Sequence, residues 1–148
     1  MAKVYTGKVV IPGDQIEAYF KALAEAEKAR EPFRNHLESL NQDFAAYLSQ
    51  GCSVRTARKH VGIVEMFIEF LCRYTDVEKI EDITKGIANT HFQKWYRRKV
   101  WDSTTPAELK TGIIKFFRFL AQEKGITNQN VLGTKKTRRP SRESSQKQ

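Results

Sequence analysis

Apolar residues in this chain recur at three- and four-residue steps in one segment after another, and residues that start or stop helices bound each segment. That spacing gathers the apolar side chains into one stripe of a helix. It excludes sheet architectures, in which side chains alternate with a period of two. The clearest start signal is Thr105-Pro106-Ala107-Glu108. Thr105 is the N-cap, Pro106 takes the first helical position, where its missing N–H costs nothing, and Glu108 completes the capping box. The helix it opens carries Leu109, Ile113, Phe116, Phe117 and Leu120 inward and ends near Lys124, with Gly125 as its stop.

Residues 1–12 hold Val4, Val9, Val10 and Ile11 before Pro12-Gly13, which reads as an extended arm or short strand ending in a turn. Asp14-Gln15-Ile16-Glu17 has the D-x-x-E pattern of a capping box. The helix after it runs to about Arg30, with Ile16, Phe20, Leu23 and Ala24 on one side, and Pro32 is expected to interrupt it. A second helix, 33–49, places Phe33, Leu37, Leu40, Phe44, Tyr47 and Leu48 at helical spacing, and Gly51 is expected to close it in a left-handed conformation. Ser53 caps a long third helix to about Tyr74, whose stripe is Ala57, Val61, Val64, Phe67, Ile68 and Leu71. Residues 75–83 are acidic and loop-like. Thr84 opens a shorter helix to about Lys99, burying Ile87, Phe92 and Trp95 or Tyr96.

The predicted fold is all-α, a four-helix bundle (33–126) preceded by an arm and an extra helix (1–32). Residues 127–148, rich in Ser, Thr, Lys, Arg and Gln, are expected to form a flexible basic tail. The 148 residues, 40% hydrophobic and 29% charged, suit one domain with tails. No apolar run approaches the roughly 18 residues of a membrane span. The first residues lack the apolar stretch of a secretion signal. Cys52 and Cys72 fall at opposite ends of one predicted helix, about 30 Å apart, too far to pair. Reduced thiols and a cytoplasmic location are the expectation.

Catalytic patterns are missing from the sequence. It contains no Gly-rich phosphate loop, no H-E-x-x-H and no G-x-S-x-G. His36, His60 and His91 are scattered and make no zinc pattern with the cysteines. The carboxylate pairs Glu25/Glu27 and Glu81/Asp82 lie on polar segments. The expectation is a non-enzyme with no cofactor, no metal and no small-molecule substrate.

The charge is more informative. The net +9 divides into −1 over residues 1–50, +5 over 51–126 and +5 over 127–148. A basic excess of this kind suits a polyanion, usually nucleic acid. On the 53–74 helix, Arg55, Arg58 and Lys59 share an arc of about 100° opposite the apolar stripe, with Glu65 and Glu69 following. The helix dipole favours the reverse order. Cations at a helix N-terminus make sense if a phosphate sits there, the alternative being a solvated face. The 105–124 helix exposes a narrow stripe of Glu108, Thr111, Lys115, Arg118 and Gln122, suited to phosphates and base edges. Lys94, Arg97, Arg98 and Lys99 crowd a helix C-terminus, where the dipole alone favours them. Trp95, Tyr96 and Trp101 read as core or hinge packing.

From about Leu37 to Ile126 the chain resembles the N-terminal core-binding domain of phage integrases and Xer-type tyrosine recombinases. The stretches that carry the resemblance are Asp43-Phe44-Ala45-Ala46-Tyr47-Leu48, Gly51-Cys52-Ser53-Val54-Arg55-Thr56-Ala57 and Phe67-Ile68-Glu69-Phe70-Leu71. Asp82-Ile83-Thr84, Ser103-Thr104-Thr105 and Ile114-Lys115-Phe116-Phe117-Arg118-Phe119-Leu120 continue it in the same order. The resemblance implies a SAM-like bundle whose second and fourth helices clamp one side of duplex DNA. Here those helices carry Ser53, Arg55, Thr56, Arg58 and Lys59, and Thr111, Lys115 and Arg118. Residues 126–140 look like the family's linker followed by a basic tail, in which Lys135, Lys136, Arg138 and Arg139 would add nonspecific phosphate contacts.

The sequence departs from the family in having no His-x-x-Arg and no catalytic domain. The expected function is therefore double-stranded DNA binding in DNA integration or recombination, without catalysis and nucleoid-associated when bound. A separate recombinase subunit, or self-association on DNA, would be the protein partner. The alternative is a helical protein-interaction module presenting Trp95, Tyr96 and Trp101, or the N-terminal helix.

Overall fold

The computed structural model describes Val4 and residues 11–133. The described residues form an all-α bundle: α1 (Ile16–Ala29), α2 (Glu31–Leu48), α3 (Val54–Tyr74), α4 (Phe92–Lys99), α5 (Pro106–Glu123) and a short α6 (Gln129–Leu132). A π-helical turn, Ile87–His91, leads into α4. Val4 makes an isolated antiparallel bridge to Thr75.

The long α3 is the centre of the packing. Its apolar stripe packs on α2, α4 and α5, and edge-on aromatic rings join α3 to α4 and α5 and α2 to α5. Phe67 meets Phe92 at 5.1 Å and Phe117 at 6.2 Å, and Phe44 of α2 meets Phe116 of α5 at 5.2 Å. All five rings are fully buried. Each such burial contributes about 1.5–3 kcal/mol, and the edge-to-face geometry about 1 kcal/mol more.

Three contacts fix how α3 and α5 sit together. Lys59 pairs with Glu108, Ile63 lies against Gly112, and Phe67 lies against Phe117. The positions advance together, so the two helices run in the same direction and their N-termini share one end of the bundle. Gly112 permits the approach: a Cβ there would lie 3.2 Å from the Ile63 side chain.

The helix ends explain the boundaries. The Ser53 hydroxyl accepts from the Thr56 N–H at 3.1 Å. At α5 the predicted capping box is complete, with the Glu108 N–H donating to the Thr105 hydroxyl at 3.2 Å and the Thr105 N–H to the Glu108 carboxylate at 2.8 Å. Gly125 stops the chain at φ +68°. At the far end of α3, the Arg30 guanidinium donates to the carbonyls of Cys72 (3.1 Å), Leu71 (3.0 Å) and Val77. Thr75 also donates to the Leu71 carbonyl, at 2.7 Å. The bonds to Leu71 and Cys72 satisfy acceptors that a helix C-terminus leaves free, and the bond to Val77 ties down the chain beyond it.

Several expectations need correction. Asp14 and Glu17 form no capping box. The chain enters α1 through a 3-10 turn in which the Gln15 N–H already bonds to the Pro12 carbonyl at 2.9 Å, and Gln15 caps α1 with no side-chain bond. The break after α1 falls at Arg30, and Pro32 lies in the first turn of α2, where no N–H is needed. Gly51 does not take a left-handed conformation. Instead the N–H groups of Gly51 and Cys52 both turn back onto the Leu48 carbonyl, at 3.1 and 2.8 Å. The 75–83 segment is no mere loop, since Val77, Ile80 and Ile83 are buried in the core.

The predicted flexible tail does not begin at 127. The buried Asn128 amide donates to the carbonyls of Ile80 (2.7 Å) and Ile83 (2.9 Å), and its oxygen accepts from the Val131 N–H at 3.0 Å. This pins α6 to the bundle. The apolar stripe of α1 does form, but α1 buries no residue, leaving Ile16, Phe20 and Leu23 exposed.

Candidate nucleic-acid interface

The candidate residues lie on the exposed faces of the parallel helices α3 and α5, on either side of the groove that Lys59 and Glu108 bridge. On α3, Arg55 and Arg58 are exposed in the first two turns, opposite the buried stripe. On α5, Thr111, Lys115, Arg118 and Gln122 fall within an arc of about 60°, and all four are exposed. Arg55, Arg58, Lys115 and Arg118 enter no ion pair among the described residues.

Lys59 differs from its neighbours, because its ammonium is bound by the Glu108 carboxylate across the groove. That ammonium, together with the Thr105 N–H, holds the Glu108 carboxyl below its ordinary pKa. Lys59 therefore bridges α3 to α5 and is not a free phosphate ligand. The Ser53 and Thr56 hydroxyls are bonded to each other at 3.0 Å, and Thr111 donates to the Ala107 carbonyl at 2.9 Å. These hydroxyls hold the helices' first turns and retain acceptor capacity only in part.

His60 lies under the groove, buried, with Nδ1 unpartnered. Burial lowers its pKa most, and the charges of Lys115 and then Lys59 lower it further, so the ring stays neutral. The same effect shows that Lys115 and Lys59 flank one point from two helices.

The acidic half of α3 has a structural role. Glu69 receives Arg34 at 3.2 Å and Arg73 at 3.1 Å, and Arg73 also reaches Glu27 at 3.7 Å. These pairs tie α1 and α2 to the end of α3 remote from its N-terminus.

Trp95 and Tyr96 are buried as predicted, but Trp101 is 92% exposed and packs into nothing. The hinge before α5 uses Asp102 instead. One Asp102 oxygen accepts from the Thr104 N–H at 3.0 Å and the other from the Tyr96 hydroxyl at 2.7 Å. The bond from Tyr96 holds the Asp102 carboxyl below its usual range, while burial pushes the Tyr96 phenol up. Sequence reasoning passed over Asp102, although an aspartate just before a helix start, able to accept from the N–H two residues on, has the pattern of an Asx turn. Lys135, Lys136, Arg138 and Arg139 lie outside the described residues.

Among the described residues no cluster of His, Cys, Asp or Glu could hold a metal ion, and no helix is long and apolar enough to cross a membrane. Comparison with protein-family models, curated proteins and solved structures finds no match to the chain.

Proposed function

We propose that the α3–α5 groove binds the phosphate backbone of double-stranded DNA. The observation that carries this reading is the set Arg55, Arg58, Lys115 and Arg118, exposed on two helices held side by side and without carboxylate partners among the described residues. Long cationic side chains on adjacent helices suit successive phosphates. The dipoles of both helices add positive potential at their shared N-terminal end. The resemblance to recombinase core-binding domains points to the same two helices, and the residues described contain no recombinase catalytic set. The activity proposed is therefore binding, in concert with a recombinase subunit or a second copy on DNA.

The test is fluorescence anisotropy with a short labelled duplex over a series of salt concentrations. About four phosphate contacts give a slope of log K against log salt of about −3 to −4. Arg55→Ala with Lys115→Ala should make that slope shallower by about 2 and weaken binding to all sequences alike. An unchanged affinity and slope in the double variant would falsify the assignment.

A second reading, a protein-interaction surface, draws on α1, whose Ile16, Phe20 and Leu23 are 41%, 59% and 42% exposed. Association that persists at salt high enough to abolish DNA binding would favour it.

A further inference from the structure

We infer that Trp101 is a base-stacking side chain, so that the hinge between α4 and α5 takes unpaired nucleotides adjoining the duplex on the α3–α5 groove. This rests on the nucleic-acid reading above and extends it from duplex phosphates to single-stranded bases.

The two tryptophans differ in their surroundings. Trp95 is 3% exposed and Trp101 is 92% exposed, on the connection between α4 and α5 in which Asp102, Thr104 and Thr105 are hydrogen-bonded. The Trp101 indole N–H donates to the Arg98 carbonyl at 3.3 Å, which ties down the polar edge of the ring. The aromatic faces stay open. The hinge beneath them is fixed by the bonds from Tyr96 and Thr104 to Asp102 and by the α5 capping box. An aromatic platform on a fixed support loses little freedom when a base stacks on it.

The surroundings of the ring are polar and cationic. Of the cations of α4, Arg97 lies beside the indole, whereas the Lys99 ammonium sits over the Tyr74 ring at 5.9 Å. A hollow of about 180 Å³ beside the indole is lined by Gln93, Arg97, Val100 and Thr104 among others. Stacking aromatics interleaved with cations are the general means of holding single strands, and Gln and Arg side chains can hydrogen-bond base edges.

The hinge is also continuous with the duplex face. It leads straight into the α5 capping box, whose Glu108 is bonded to Lys59 of α3. A lipid surface is a poorer fit. An interfacial anchor needs a broad apolar face, and the neighbouring Val100 is already half-buried against the core.

The experiment compares a blunt duplex with the same duplex bearing a short single-stranded overhang, using the full chain and its Trp101→Ala and Trp101→Phe variants. A side chain this exposed can be replaced without loss of fold, which far-UV circular dichroism checks. The wild-type chain should prefer the overhang about tenfold, with quenching of its exposed indole emission. Trp101→Ala should abolish the preference while leaving blunt-duplex affinity within about twofold, and Trp101→Phe should keep most of it.

Equal affinity for both probes, or a preference that survives Trp101→Ala, overturns the stacking role and leaves the groove assignment standing. Loss of blunt-duplex binding in the wild-type chain overturns both. A blue-shifted indole on phosphatidylserine vesicles, with no quenching by the overhang, overturns it in favour of a lipid surface.

Discussion

His60 shows how a single buried side chain can make the fold sensitive to acid. Its Nδ1 has no partner, and burial with the two flanking lysines keeps its pKa below the ordinary 6.5. The unfolded chain takes up the proton near that ordinary value, the folded chain only at lower pH. Between the two the unfolded state carries more protons, so stability falls as pH falls through the region below 6.5. His60→Leu removes the titrating group and the unpaired nitrogen together. Urea midpoints measured from neutral pH down to about pH 5 should fall less in His60→Leu than in the wild type. At neutral pH the variant should be about as stable as the wild type or more so, since an unsatisfied buried polar atom has gone. An identical pH dependence in the two chains would show that His60 is not the titrating group.

The α3–α5 contact depends on a residue that contributes nothing but absence of bulk. Gly112→Leu should push against Ile63 and cost about 1–3 kcal/mol, read as a lower urea midpoint. It should also weaken duplex binding, because the cations on the two helices would be spread apart. Much of this element level was legible in the sequence. Thr105-Pro106-Ala107-Glu108 and Ser53 signal helix starts by local chemistry, and α5 and α3 begin where those residues place them. Local chemistry also misled where two local solutions compete, as at Gly51, whose N–H found the Leu48 carbonyl without a left-handed turn. The candidate cations could be placed on helix faces from periodicity alone. The pairing of Lys59 with Glu108 could not, because it depends on which helix lies beside which.

Over the whole molecule, order is unevenly distributed. Helix α1 buries no residue and is held at its end by Arg30 and by the Arg73–Glu27 pair, whereas α3 carries nine buried side chains. Amide hydrogen exchange should find 16–29 opening far more readily than 57–72, which should exchange only with global unfolding. Equal protection in the two helices would contradict this. Periodicity cannot reveal such a difference, since it reports that a helix has an apolar face and not that anything covers it. Composition erred in the opposite direction at Asn128, where a polar stretch read as tail is fastened by one buried amide. The parallel arrangement of α3 and α5 has a kinetic consequence as well. Lys59 and Glu108 are 49 residues apart in the chain, and two parallel helices cannot be joined by a short turn. Their meeting is a high-contact-order event that the intervening segment must first make possible. The groove therefore needs the intervening segment folded back on itself, and a peptide carrying either helix alone has half a surface.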